Sequence, residues 1–447
     1  MDLIKDLFKG DKVIWIIFLF LCLISIVEVF SAASTLTYKS GDHWFPITQH
    51  SVILLVGVVI VVIVHNIPCR WFRVIPFFLY PLSAVLLLFV MGMGLVTGDR
   101  VNGAARWMTF FGVQFQPSEL AKMAVIVATA FVLAKNQDEG GTNPRAFKII
   151  MWITGIAFFL IAPENGSTAA LLFGVVFLMM VIGRVPWKQL MKLVGILTLF
   201  LVVGISSVMV IPTKKLDKIP LMHRVETWQN RIKGFAEDKE AVPAAKYDID
   251  KDAQIAHANI AIATSNVIGK MPGNSVQRDF LSQAFSDFIF AIVIEELGLV
   301  GGAFIVMLYL WLLMRAGKIA RKSEKAFPAF LVMGIALLLV SQALLNMMVA
   351  VGLFPVTGQP LPLISKGGTS TLINCAYIGM ILSVSRYVTE QQDTKEKDKE
   401  AEVEARLQAA TTVLLEKARE IVAENKNIDE GVDVENGRLK KEQSDYK

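Results

Sequence analysis

The sequence F-S-D-F-I-F-A-I-V-I-E-E-L-G, residues 285–298, places three carboxylates at and inside an apolar segment. Asp287 lies where a polar loop enters that segment, and Glu295 and Glu296 follow about two helical turns later. Burying an ionised carboxylate in hydrocarbon is costly, so acids retained there are functional candidates. The stretch therefore predicts a membrane scaffold that brings other polar groups to the level of Asp287.

The composition is that of a polytopic membrane protein. The chain has 447 residues, of which 54% are hydrophobic and 19% charged, and its mean hydropathy is +0.54. The net charge of +5 is too small to indicate a nucleic-acid partner. Cys22, Cys69 and Cys375 lie in or beside apolar segments, at spacings that fit neither a disulfide framework nor a zinc site.

Ten apolar segments are long enough to cross about 30 Å of hydrocarbon as helices. Within them the sequence lacks the alternation of a sheet, so an all-α protein is predicted rather than a barrel. The first segment ends near S-A-A-S, residues 31–34, which also fits a signal-peptide cleavage site, but a retained helix is preferred because many spans follow. The predicted spans are residues 13–34, 49–66, 74–97, 118–134, 147–163, 167–183, 189–212, 284–314, 327–352 and 367–386.

Short-loop basic residues predict the orientation, because they accumulate in alternate loops that are expected to face the cytoplasm. Both termini then lie in the cytoplasm. In the chain, residues 1–12 precede a membrane domain at 13–386, and the charged tail 387–447 follows it. A large extracytoplasmic loop, 213–283, connects the seventh and eighth spans. The tail is predicted to be partly helical or disordered; its heptad-like apolar positions also fit a partner-binding helix.

The connection before the fourth span carries candidate anion-binding residues. Pro117 suits the first turn of a helix, and Glu119 and Lys122 are three residues apart and so share one face. A lysine about one turn inside the membrane is able to hold a phosphate or pyrophosphate as a point charge. The alternative is that Lys122 snorkels to the interface and pairs with Glu119. Arg106 fits either the anion site or an interfacial belt.

Two further connections point to the same side. Residues 354–370 are rich in Pro and Gly, and Ser365 and Lys366 lead into the tenth span, whose first amides are able to face an anion. A plain turn between helices is the alternative. The 213–283 loop adds basic residues, Arg224 among them. For Asp287, capping of the eighth helix and catalysis both remain open.

Motifs of soluble enzymes, such as a Walker loop, H-E-x-x-H or a nucleophile elbow, do not occur in the sequence. This favours transport, or membrane-embedded chemistry on a lipid-linked substrate. Four stretches then carry a resemblance: A-R-W at 105–107, Q-P-S-E-L-A-K at 116–122, S-D-F-I-F…E-E-L-G at 286–298, and N-M-M-V-A-V-G-L-F-P-V-T-G-Q-P-L-P-L-I-S-K-G-G-T-S at 346–370. In order and spacing they resemble the FtsW/RodA (SEDS) family over residues 10–386.

The resemblance implies ten transmembrane helices and peptidoglycan glycosyltransferase activity. The substrate would be lipid II, a disaccharide-pentapeptide on undecaprenyl pyrophosphate, polymerised at the outer face of the membrane. Asp287 falls at the family's catalytic acid position and would act as general base. Lys122 with Glu119 beside it, and nearby arginines such as Arg106 and Arg224, would stabilise the departing pyrophosphate. Family enzymes are thought to use a divalent cation, which nothing in this sequence shows.

The sequence departs from the family pattern at three positions: Glu164 replaces an Asp, Lys366 replaces an aromatic residue, and Glu28 adds an acid to the first span. The A-A-R-W form and the long tail favour the division (FtsW-like) type over the elongation (RodA-like) type. The resemblance implies a class B penicillin-binding transpeptidase as partner, and bitopic division proteins for the division type. It also implies a multi-pass protein of the cytoplasmic (inner) membrane, at the septum in a division enzyme. The rival functions are a lipid II flippase and a non-catalytic scaffold.

Overall fold

The computed structural model describes residues 9–32, 44–96, 108–110, 113–138, 140–163, 165–210, 253–281 and 284–444. Most of the described chain is helical. The helices are α1 (Lys12–Ala32), α2 (Phe45–Asn66), α3 (Ile75–Val96), α4 (Pro117–Lys135), α5 (Pro144–Ile161), α6 (Gly166–Ile182), α7 (Trp187–Val210), α8 (Ala253–Ala263), α9 (Ile289–Lys322), α10 (Ala326–Ala350) and α11 (Thr369–Ser444).

Short strands occur only in connections of the described chain. Strand β1 (Met108–Phe110) pairs antiparallel with β2 (Val113–Phe115), just before α4. Strand β3 (Gln137–Asp138) pairs with β4 (Gly141–Thr142), between α4 and α5. The sequence did not reveal these hairpins, since two or three residues are too few to show an alternating pattern.

Each of the ten predicted spans coincides with a helix. In the described chain, eight helices are long and apolar enough to cross a membrane, and α6 is a shorter apolar helix. The chain is thus a multi-pass helical membrane protein. The count of ten crossings, the side on which the termini lie and the outward placement of residues 213–283 remain predictions.

Helix α4 lies at the centre of the bundle. Its apolar window is 83% buried, and it contacts α3, α5, α6 and α10. Helix α10 also packs against α9, which in turn contacts α1 and α8. Because the first turn of α4 carries Glu119 and Lys122, the fold places this pair between helices rather than on a lipid-facing surface.

Helix α9 is interrupted by a loop. Gly298 has φ 73° and ψ −175°, which is not helical. Beside it, the N–H groups of Lys270 and Met271 donate to the carbonyl oxygens of Glu295 and Glu296, at 2.9 and 2.8 Å. The N–H groups of the loop thus replace those that the next turn of a continuous helix would supply to these carbonyl oxygens. The loop is bound in this way to the part of α9 between Ile289 and Gly298, directly after Asp287.

The chain divides into two compact units, Met1–Val388 and Thr389–Lys447. The second unit is helical as far as Ser444. The apolar side chains Val403, Leu407 and Leu414 are exposed. Binding of a partner by this helix, and the assignment of the tail to the cytoplasm, stay predictions.

Candidate active site

Asp287 lies in the turn immediately before α9 and is partly buried. The helix begins at Ile289, and its N-cap position is Phe288, which forms no side-chain capping bond. Asp287 thus lies one residue before this position, and the two roles considered for it, capping and catalysis, both stay predictions. The hydroxyl of Ser286 donates to Oδ1 of Asp287 at 3.0 Å.

The connection between α10 and α11 holds the turn of Asp287 in place. Ser365 Oγ donates to the carbonyl oxygen of Ser286 at 2.6 Å, and the N–H of Lys366 donates to the carbonyl oxygen of Phe285 at 2.9 Å. Ser365 is 2% exposed. The connection is a buried support for the turn before α9 rather than a plain turn between helices, as its many Pro and Gly residues suggested.

Asn346 on α10 links the two segments. Its Nδ2 donates to the carbonyl oxygen of Asp287 at 2.8 Å and to that of Gln359 at 2.7 Å. The side chain is buried. Both amide protons thus serve to fix the backbone on either side of the site.

A second amide, Gln342, lies one helical turn earlier on α10. Its Nε2 donates to the carbonyl oxygen of Pro360 at 3.1 Å, and its Oε1 accepts from Lys122 Nζ at 2.8 Å. The same ammonium lies 2.8 Å from Glu119 Oε1. A continuous set of polar contacts thus runs from Glu119 on α4 to the connection that supports Asp287.

The structure confirms that Glu119 and Lys122 share one face and form a pair. Their side chains are 2% and 0% exposed, so the alternative in which Lys122 snorkels to the interface is wrong. Snorkelling needs a path to water, and the helices around α4 close that path. The role of Lys122 in binding pyrophosphate stays a prediction.

Lys366 is a partly exposed cation in the connection that contacts the turn of Asp287. Its Nζ lies 5.9 Å from the centroid of the Phe285 ring, within the range of a cation–π contact. Burial lowers the pKa of the Lys366 amine from its ordinary value, because desolvation disfavours the charged form. An anionic ligand at this position would favour the charged form of the amine.

The two acids inside α9 hold a loop in this structure. Lys270 Nζ donates to Glu295 Oε1 at 2.6 Å, and the N–H groups of Gly273 and Ser275 donate to the carboxylate of Glu296 at 3.0 and 3.1 Å. Backbone donors and a cation thus compensate the burial of both carboxylates. Glu295 and Glu296 anchor the loop before Asp287 and do not point to a second reaction centre.

The described residues do not fit a divalent-cation site. They include no group of three or more His, Cys, Asp or Glu side chains able to hold a metal ion, and Glu119 is already paired with an ammonium. Arg106, Glu164 and Arg224 lie outside the described residues.

Reasoning from the sequence missed the amides Gln342, Asn346 and Gln359. A signal for the first two was present: they are polar residues four apart in an otherwise apolar span, so they occupy one face of the helix. Gln359 lies among turn residues, where an amide is ordinary, and only the fold reveals that it is buried.

Comparison with known proteins identifies the family. A family model described as "Cell cycle protein" (FtsW/RodA/SpoVE) matches residues 11–390. A relative from Halomonas elongata, named probable peptidoglycan glycosyltransferase FtsW, is 31% identical over 374 residues, which are 81% of this chain and 87% of that protein. A relative of the same name from Geobacter sulfurreducens is 29% identical over 390 residues, 86% of this chain and 96% of that one.

Solved structures share the fold. A chain from a study of how a peptidoglycan synthase complex coordinates polymerization and crosslinking has a TM-score of 0.64 at 24% identity, over 85% of this chain and 98% of that chain. The rod shape determining protein RodA of Thermus thermophilus has a TM-score of 0.57 at 23% identity, over 84% of this chain and 97% of that chain. With the match over residues 11–390, these likenesses show that the chain belongs to the FtsW/RodA/SpoVE family of cell cycle proteins.

Proposed function

We propose that this protein is a peptidoglycan glycosyltransferase that polymerises lipid II into glycan strands at the outer face of the cytoplasmic membrane. The names of the relatives support the reaction class. The observation that carries the proposal is the placement of Asp287. It is a partly buried carboxylate before α9, and its backbone is fixed by Asn346 from a second helix.

In the proposed reaction, Asp287 takes the proton of the acceptor sugar hydroxyl. The oxygen then attacks the anomeric carbon of the donor sugar and forms the new glycosidic bond. The bond from that carbon to the pyrophosphate oxygen breaks, undecaprenyl pyrophosphate leaves, and the configuration of the anomeric carbon is inverted. The hydroxyl of Ser286 donates to Oδ1 of Asp287 and orients the carboxylate.

The leaving pyrophosphate needs cations. Lys366 is partly exposed beside the turn of Asp287 and is suited to meet it, with Ser365 supporting the same turn. Arg106 and Arg224 remain candidates by resemblance. Lys122 is enclosed by Glu119 and Gln342 in this conformation, so a direct contact with pyrophosphate requires those partners to be exchanged. As observed, Lys122 holds Gln342 and thereby the connection at residues 357–366.

The division (FtsW-like) role, the septal location, the class B penicillin-binding transpeptidase and the bitopic division proteins belong to the same proposal. The long tail and the A-A-R-W stretch support the division type. A lipid II flippase or a non-catalytic scaffold would need neither a base at Asp287 nor the supports of its turn. These alternatives are separable by one assay.

That assay is polymerisation of lipid II by the purified protein, with and without its co-purified transpeptidase, for the wild type, Asp287→Asn and Asp279→Asn. Removing a general base lowers the rate by about 10²–10⁴-fold, so Asp287→Asn should yield no visible glycan ladder. Asp279, whose side chain is 58% exposed in the preceding loop, provides a matched loss of charge, and this variant should polymerise normally.

Equal ladders from the wild type and a folded Asp287→Asn protein would contradict the role of the base. Absence of ladders from the wild type, even with the transpeptidase present, would favour the flippase or the scaffold.

A further inference from the structure

The side-chain oxygen of Asn346 is a buried acceptor next to Asp287. Both protons of its Nδ2 are used by the carbonyl oxygens of Asp287 and Gln359. Carbonyl oxygens only accept hydrogen bonds, so the amide orientation is fixed by its partners. In the described part of the chain, Oδ1 of Asn346 is fully buried and has no hydrogen-bond partner.

Two further acceptors of the same kind lie along the connection that Asn346 contacts. Oε1 of Gln359 and Oγ1 of Thr357 are also buried and lack partners among the described residues. The Nε2 of Gln359 is bound to Thr168 Oγ1 at 2.5 Å, while the backbone oxygen of Thr357 accepts from Ser167 at 2.9 Å. Asn346 and Gln359 thus each donate within the protein and leave the side-chain oxygen unpartnered, whereas the Thr357 hydroxyl, which both donates and accepts, is itself unpartnered.

An unpartnered buried acceptor is costly, and native proteins rarely retain one without a ligand or a water to satisfy it. Two amide oxygens of this kind, Asn346 Oδ1 on α10 and Gln359 Oε1 in the connection, lie near the backbone of the candidate base and are able to accept from hydrogen-bond donors. A cation is a poorer match, because the described residues lack a group of three metal-ligating side chains and the ammonium of Lys122 already lies in this network.

We propose that Oδ1 of Asn346, together with Oε1 of Gln359, binds hydrogen-bond donors of a sugar, a hydroxyl or an acetamido N–H, next to the reacting hydroxyl. Both oxygens are fully buried in this conformation, so entry of the sugar requires the side chains that cover them to move. The inference rests on the proposed function, because it takes the bound ligand to be an amino sugar of lipid II. Asn346 then has two tasks. Its N–H groups position the backbone of Asp287, and its oxygen accepts a hydrogen bond from the substrate.

The consequence is specificity. A site that hydrogen-bonds a substrate donor rejects the analogue that lacks this donor, because the buried acceptor of the protein is then left unpaired. The wild type should therefore bind lipid II more tightly than an analogue with one hydroxyl removed or with the acetamido N–H replaced by an ester oxygen.

The test combines variants of the protein with analogues of the ligand and measures the affinity of each pair. A binding measurement requires no turnover. Fluorescent lipid II and a panel of deoxy and ester analogues are titrated against purified wild type, Asn346→Ala and Asn346→Asp, each checked for folding by size exclusion and thermal unfolding. One lost hydrogen bond should weaken binding by about 5- to 10-fold for the wild type. For Asn346→Ala, the same analogue should bind like lipid II.

Asn346→Asp keeps an oxygen at this position, so it should retain the discrimination even where its overall affinity falls. Thr154→Val provides a matched control: Thr154 Oγ1 is also buried and without a partner among the described residues, but it lies on α5, and this variant should discriminate as the wild type does.

Equal discrimination by the wild type and Asn346→Ala for every analogue would overturn the inference. If the wild type discriminates between the ligands through Asn346 but forms no glycan, the proposed sugar-binding role of Asn346 stands and the proposed glycosyltransferase activity is refuted.

Discussion

Replacing Lys122 with methionine tests the network at its most buried point. Lys122 and Glu119 are 0% and 2% exposed and lie 2.8 Å apart. Removing one partner of a buried ion pair leaves the other charge uncompensated, which costs about 3–5 kcal/mol. Lys122→Met should therefore lower the free energy of unfolding by that amount, which corresponds to a loss of at least about 100-fold in the folding equilibrium.

The double variant Lys122→Met/Glu119→Leu separates charge from architecture. Replacement of a whole buried pair by apolar residues is often neutral, so part of the loss, about half of it, should be recovered. About 1–3 kcal/mol should remain, because Oε1 of Gln342 loses the ammonium that donates to it.

The assay is unfolding in detergent by denaturant, followed for the wild type and both variants, with polymerisation measured on the folded fraction. Both variants should be inactive, since Gln342 and the connection at residues 357–366 lose their anchor. A double variant as unstable as the single one would refute the view that the stranded Glu119 charge causes the loss. A stable double variant with wild-type activity would show that the pair contributes only to stability.

Two further predictions follow from local geometry. Lys366→Arg should extend activity to higher pH. Burial lowers the pKa of Lys366 from 10.5, so the ammonium loses its proton as pH rises through that lowered value, whereas a guanidinium stays charged. If polymerisation by the wild type and by Lys366→Arg declines at the same alkaline pH, this charge has no role. Gly298→Ala should yield little folded protein, because φ is 73° and a Cβ would lie 2.2 Å from the carbonyl oxygen of Val267. Gly155→Ala is the control: the space around its Cβ is open, so this variant should express and unfold thermally as the wild type does.

The sequence was sufficient for those parts of the fold that depend on local hydrophobicity. All ten apolar segments became helices, and Pro117 begins α4 as its position suggested. Boundaries set by long-range contacts were missed. The eighth span was predicted from residue 284, but its helix starts at Ile289, because the preceding turn is held by the connection from α10.

The insertion of a loop into α9 was not predictable from any local pattern. It pairs residues 266–271 with residues 25 to 33 positions away, and a glycine in an apolar run has many explanations besides a break. The acids Glu295 and Glu296 attract notice as costly residues. Apart from Lys270, their partners include backbone N–H groups of residues 273–277, and backbone groups leave no trace in a sequence.

The candidate site shows which information a sequence withholds. Asp287, Glu119, Lys122, Ser365 and Lys366 were identified as candidates before the fold was known, and the structure brings them to one network. The residues that connect them, Gln342 and Asn346, are uncharged amides on α10. A charge in a membrane span draws attention because of its cost, but an amide is noticed only when its hydrogen bonds are known. If Asn346 both fixes the backbone of Asp287 and accepts from the sugar, the base and the specificity of this enzyme depend on one side chain. A single substitution would then alter both.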